Sequence, residues 1–179
     1  MQKLDYAILF ATKAHDGQRR KTDNVDMIFH PFTVGMLLQR VGADEDTVIA
    51  GILHDVVEDT KYTLDDIENI FGKNVRKIVD EVTEDKSLEW KKRKEEAIEK
   101  VRNASIQGKM VECADKINNL ESLYDLLQEK GAEVWKNFNK PYSEQKWYYT
   151  EMYQAVVDNA ENNQFFERYK KILNKVFEM

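Results

Sequence analysis

Across 179 residues the chain carries 33 acidic against 27 basic side chains, a net charge of −6. That length suits one domain with a sizeable core, and the surplus of acid excludes a general nucleic-acid surface, which is basic, without excluding local positive charge around a small anionic ligand. The single cysteine, Cys113, excludes an internal disulfide framework and fits a reducing compartment. The N-terminal "MQKLDYAILFATKAHD" has too short and too charged an apolar run for a signal peptide. No window approaches the roughly 20 apolar residues of a membrane span. The expectation is a soluble, cytoplasmic protein with neither nucleic acid nor membrane as partner.

Helical periodicity runs through nearly the whole chain. Leu4, Ala7, Ile8, Ala11 and Ala14 form one apolar stripe. "HPFTVGMLLQRVG" sets Pro31 where a first helical turn tolerates it, continues through Val34, Leu37, Leu38 and Val41, and stops at Gly42. Residues 46–57 predict a helix that is apolar almost all round and therefore central. In "YTLDDIENIFG", Thr63 is an N-cap with acids behind it and Gly72 a stop. "NVRKIVDEVTE" predicts a short amphipathic helix, and residues 88–105 a highly charged, solvated one. Longer helices are expected over 109–128 and 143–160, and a terminal one over 163–178. Loops fall at "KTDNVDM", residues 21–27, and at 136–145. No alternating strand pattern, repeat or linker interrupts this, so the fold class is all-α over a single domain, 1–179.

"GILHDVVEDT" breaks the apolar pattern of its helix. Glu58 follows His54 by four residues and Asp59 follows Asp55 by four, so each acid is expected to stack one turn above its partner. Ionised carboxylates are rarely buried unless paired or bound to metal. His30 opens a helix just before Pro31, and Asp115 interrupts the apolar run of Met110, Cys113, Ala114, Ile117 and Leu120. Singly, these residues have ordinary readings: a cap, a packed side chain, a surface stripe. Together, His30, His54, Asp55 and Asp115 make a set of two nitrogens and two oxygens from three helices. Such a set suits manganese, iron or zinc and fits metal-assisted hydrolysis. The lack of thiolates argues against a structural zinc site.

The order H…HD…D resembles the HD-domain metal phosphohydrolases, and more specifically the hydrolase domain of RelA/SpoT-type stringent-response enzymes and the small alarmone hydrolases. The resemblance runs in order through "ATKAHDGQRRK", "FHP", "AGILHDVVEDT", "DDIENIFGKNVRKIVDEVTE" and "ECADKINNL", over residues 7–122. It implies a helical HD-domain fold. It also implies a divalent ion, manganese, held by the residues at His30, His54, Asp55 and Asp115. By the same resemblance the acids at Glu58 and Asp59 handle the attacking water. Arg20 and Lys21 meet the nucleotide, the arginine by stacking on guanine, and Asn119, Ser122 and Leu126 line the nucleoside pocket. The implied reaction removes pyrophosphate from the ribose 3′ position of ppGpp or pppGpp, and 179 residues leave no room for a companion synthetase domain. The chain departs from the family pattern at "TDNVDMIF", with Met27 where a pocket tyrosine is expected, and at Glu121, where a basic residue is usual. Both departures lie at the substrate end. They leave open a phosphohydrolase acting on another nucleotide or phosphoester, or a non-catalytic nucleotide-binding module. The aromatic stretch "YSEQKWYYTEMYQ" reads as packing or as the face of a homo-oligomer rather than a base-stacking platform.

Overall fold

The computed structural model describes residues 2–20, 24–160 and 163–177, and these are all-α. In chain order the helices are α1 (Lys3–Ala14), α2 (Phe29–Arg40), α3 (Glu45–Leu53), α4 (Val56–Asp59), α5 (Leu64–Phe71), α6 (Lys73–Val82), α7 (Trp90–Arg102), α8 (Ile106–Lys130), α9 (Tyr142–Val157) and α10 (Gln164–Phe177), with a 3-10 turn, Gly131–Asn137, between α8 and α9. Among the described residues the extended pairing is a single isolated bridge, Arg19 with Asp26. No described helix is long and apolar enough to cross a membrane.

Local chemistry accounts for most of the boundaries. Asp44 caps α3 by accepting from the Thr47 amide, and Thr63 and Asp66 form a reciprocal capping box on α5. Gly72, at φ +89°, makes the turn that ends α5. Ser105 caps α8, whose 25 residues run through the centre of the fold.

Three helices position the site. α3 is buried from Thr47 to Leu53, and it lies close against α2 because glycines face the partner helix on both sides. A Cβ at Gly35 would strike Ile52, and one at Gly51 would strike Leu38. This close approach brings the first turn of α2 next to the last turn of α3. α8 crosses both and presents Asp115.

The structure corrects several expectations. The helix expected over 46–57 breaks at His54 and Asp55, which form a turn between α3 and the four-residue α4. Hence there is no uninterrupted helix on which Glu58 stacks over His54. On α1, Phe10 is buried while Ile8 is exposed, because the buried face is centred on Ala7, Phe10 and Ala11. Val41 lies past the end of α2 and is exposed. α7 is not merely solvated: Ala97, Ile98 and Val101 are buried. The loop expected at 136–145 is shorter, since the 3-10 turn reaches Asn137 and α9 starts at Tyr142. Within the 21–27 loop, Lys21, Thr22 and Asp23 lie outside the described residues, while Asn24 adopts a positive φ of 58°. Tyr148, Tyr149 and Tyr153 are buried, so the aromatic stretch is core packing.

Candidate metal centre and its cleft

His30 and His54 each have the nitrogen farther from the backbone turned inward, for reasons visible in the hydrogen bonds. The His54 Nδ1 lies 2.7 Å from the Gly51 carbonyl oxygen, which only accepts, so this nitrogen carries the proton. The His30 Nδ1 lies 2.6 Å from Asn118 Oδ1 in the same relation. Both Nε2 atoms are thereby left with lone pairs. Fixing the tautomer through the second nitrogen is how metal-binding imidazoles are commonly oriented.

The two lone pairs converge with carboxylate oxygens. Asp115 Oδ1 stands 3.0 Å from His30 Nε2 and 3.9 Å from His54 Nε2. Asp55 Oδ2 stands 3.6 Å and 3.3 Å from the same two nitrogens. Ligand atoms of His30, His54 and Asp115 all lie within 4.8 Å of one another. Neighbouring donors about 2.1 Å from one ion would themselves be separated by roughly 3–3.5 Å, which matches this spacing. The buried Nε2 of His54 has no hydrogen-bond partner, a costly omission that a bound cation would remedy. Asp55 is more open than the other three residues and lies on the cleft side.

Electrostatics favour the deprotonated acid that an ion needs. Burial alone would raise the Asp115 pKa, but Lys116 and both histidines outweigh it and hold the carboxyl well below the usual range. Burial likewise opposes protonation of His30, yet Asp115 and Asp55 raise its pKa in the metal-free protein. Glu58 differs: burial, then the nearby charges of Asp55 and Glu84, push its pKa up to about 8.

The cluster opens on a cleft of about 660 Å³. Its acidic wall is Asp55, Glu58 and Asp59, and its cationic walls are Arg19 and Arg20 on one side and Lys86, Arg93 and Lys94 on the other. Glu84 holds the latter pair, 3.1 Å from Arg93 Nε and 2.6 Å from Lys94 Nζ. Both members of the acidic pair line the cleft, with different partners. The Asp59 carboxylate pairs with Lys86, and its carbonyl accepts from Gln18 Nε2 at 2.8 Å.

The nucleotide-binding residues expected from sequence fall into two groups. Arg20 Nη2 donates to Asn119 Oδ1 at 3.0 Å and Nη1 to Ser122 Oγ at 3.3 Å, while Asn119 Nδ2 donates to Asp115 Oδ1. These three side chains thus form one chain of contacts ending at Asp115. Leu126 lines a neighbouring cavity of about 280 Å³, which shares Arg93 and Lys94 with the main cleft. Lys21 lies outside the described residues. Met27 lines the main cleft, but Glu121 accepts from Arg168 of α10 at 2.7 Å. Sequence reasoning missed Gln18, Glu84, Lys86, Arg93, Lys94, Lys116 and Asn118. Of these, only Lys116 left a signal, as a lysine inside the apolar pattern of α8.

Histidines and aspartates from the first turn of α2, the α3–α4 turn and the middle of α8, meeting beneath a cleft lined by acids and cations, define the class of helical HD hydrolases. The HD domain family model matches residues 7–143, and the chain belongs to that family. It is 43% identical over 127 residues to guanosine-3′,5′-bis(diphosphate) 3′-pyrophosphohydrolase MESH1 of Xenopus tropicalis, covering 69% of this chain and 71% of that one. It is 32% identical to the bifunctional (p)ppGpp synthase/hydrolase SpoT of Escherichia coli K12, covering 80% of this chain but 21% of the longer protein. Among solved structures it resembles a metazoan ortholog of SpoT described as hydrolysing ppGpp with a role in starvation responses. The TM-score is 0.83 at 29% identity, with 97% of this chain and 95% of that one covered. The protein is a hydrolase of this family.

Proposed function

We propose that the protein is a manganese-dependent pyrophosphohydrolase of guanosine 3′,5′-bis(diphosphate)-type alarmones, acting on free nucleotide in the cytoplasm. The observation that carries this reading is the convergence of His30, His54, Asp55 and Asp115 beneath a cleft that holds both acids and cations. The donor set fits a divalent ion: two imidazole lone pairs, two carboxylates, and a buried His54 Nε2 otherwise without a partner. When bound, the ion supplies Lewis acidity, lowering the pKa of water and neutralising phosphoryl charge.

The chain's own groups supply the rest. Glu58, titrating near neutral pH, accepts a proton from the attacking water and returns one to the departing ribose oxygen. Water adds at the phosphorus attached to the ribose 3′ oxygen and that P–O bond breaks, so one ppGpp and one water give GDP and pyrophosphate. Asp59, tied to Lys86 and Gln18, holds the end of α4 in place. Arg20, with Lys21, receives the nucleotide, Asn119 and Ser122 fix the arginine, and Leu126 offers apolar surface to the nucleoside. Arg93, Lys94 and Lys86 face the phosphates as fixed positive charge.

A second reading, hydrolysis of a different nucleotide, is favoured by Met27 in the cleft wall. The decisive assay incubates manganese-loaded protein with ppGpp and with a panel of nucleoside phosphates, and identifies products by phosphorus NMR. Equimolar pyrophosphate and GDP support the first reading. Turnover confined to another nucleotide supports the second.

A further inference from the structure

Lys116 lies beside Asp115 on α8, is buried, and lines the inner end of the cleft. A cation there invites the idea of a phosphate ligand, but its hydrogen bonds point elsewhere. A lysine ammonium has three donors. Lys116 donates to Asp115 Oδ2 at 2.5 Å and pairs with Glu112 Oε1 at 2.8 Å, and its ammonium lies 5.4 Å from the centre of the Tyr148 ring. The ammonium is thus engaged by two buried carboxylates of its own helix.

The consequence falls on Asp115. Its Oδ2 is occupied by Lys116, whereas its Oδ1 is the oxygen that approaches His30 and His54. Asn119 Nδ2 donates to that same Oδ1, further fixing the plane of the carboxylate. A carboxylate free of such a tether can swing to give an ion both oxygens. We infer that Lys116 is a positioning residue that makes Asp115 a one-oxygen ligand, and so preserves a coordination position for water on the ion. The inference rests on the metal-centre reading above but not on the identity of the substrate.

Glu112 completes the device. It too is buried, and it balances Lys116 so that the α8 interior holds one cation between two carboxylates. Removing Lys116 alone would leave Glu112 unpaired in the core, which is strongly destabilising. Removing both partners in favour of apolar side chains of similar volume is much better tolerated. The test therefore compares wild type, Lys116→Met, and Lys116→Met with Glu112→Leu, as full chains loaded with manganese. Water-proton relaxation counts the waters on the ion, metal analysis gives occupancy, and steady-state kinetics with ppGpp give kcat and KM.

The double variant is expected to stay folded and bind manganese stoichiometrically, but to lose about one metal-bound water, as a second Asp115 oxygen takes its place. kcat is expected to fall about 10- to 100-fold, the usual effect of removing a residue that orients a ligand, with KM nearly unchanged. An unchanged water count with manganese bound overturns the inference. So does outright loss of the metal, which would make Lys116 a determinant of affinity rather than of ligation. If no form of the protein turns over ppGpp while the water count still falls in the double variant, the alarmone reading fails and this inference stands.

Discussion

Replacing Glu58 by Gln should stabilise the metal-free protein while crippling the enzyme, and the stabilisation should depend on pH with a defined sign. In the folded state burial and the charge of Asp55 raise the Glu58 pKa from 4.5 to about 8. In the unfolded chain the group ionises near its ordinary value. Between those two pH values the unfolded state binds fewer protons, so wild-type stability must fall as pH rises through that window. At about 1.36 kcal/mol for each pH unit, the full window corresponds to a loss on the order of 3–5 kcal/mol. Glutamine keeps the shape and cannot ionise. Denaturant unfolding of chelator-stripped wild type and Glu58→Gln at pH 5 and pH 8 measures the difference. The two proteins should differ little at pH 5, and the variant should be the more stable at pH 8 by a few kcal/mol. Its manganese-loaded form should lose kcat by about 10²–10⁴-fold, the usual worth of general acid–base assistance. Parallel pH profiles for the two proteins, or full activity in the variant, would refute the placement of Glu58 as a buried, proton-handling acid.

Other outcomes follow from the same geometry. His54→Ala should abolish the near-stoichiometric manganese, iron or zinc that elemental analysis is expected to find in wild type purified without chelator. Arg20→Ala should raise KM while leaving kcat mostly intact, because the guanidinium sits beyond the metal cluster and loses binding common to ground and transition states; a collapse of kcat at unchanged KM would contradict this. Gly51→Val should drive a side chain into Leu38 and destabilise the fold by about 1–3 kcal/mol. It should also weaken metal binding, since it separates the helices that carry the two histidines, and both effects are measurable by thermal melts with and without manganese.

Much of this was legible in sequence, for identifiable reasons. His30, His54 and Asp115 stand out because each interrupts a strongly apolar helical pattern, and charged or imidazole groups are expensive in such places. Thr63 and Gly72 carry their own local chemistry, so the bounds of α5 follow directly. The break at His54 and Asp55 was not legible. The segment remains apolar on both sides, and the backbone departs from a regular helix only over two residues. That break ends the i, i+4 relation expected between His54 and Glu58, although Glu58 and Asp59 both still line the cleft. Arg93 and Lys94 sit in the charge-rich run "WKKRKEE", where nothing local distinguishes a solvated lysine from one turned inward. Their orientation depends on Glu84, which reaches them from the segment joining α6 to α7. Gln18 is equally silent in sequence, since its partner is a backbone carbonyl 41 residues away.

The His30, His54, Asp55 and Asp115 cluster is expected to drive release of pyrophosphate from the ribose 3′ position. The most direct measurement follows ppGpp by phosphorus NMR with manganese-loaded wild type, the same protein after chelation, and His54→Ala. Stoichiometric pyrophosphate and GDP are expected from the first sample alone, with activity returning when manganese is restored to the chelated protein. Release of orthophosphate instead of pyrophosphate, or equal turnover in all three samples, would contradict it.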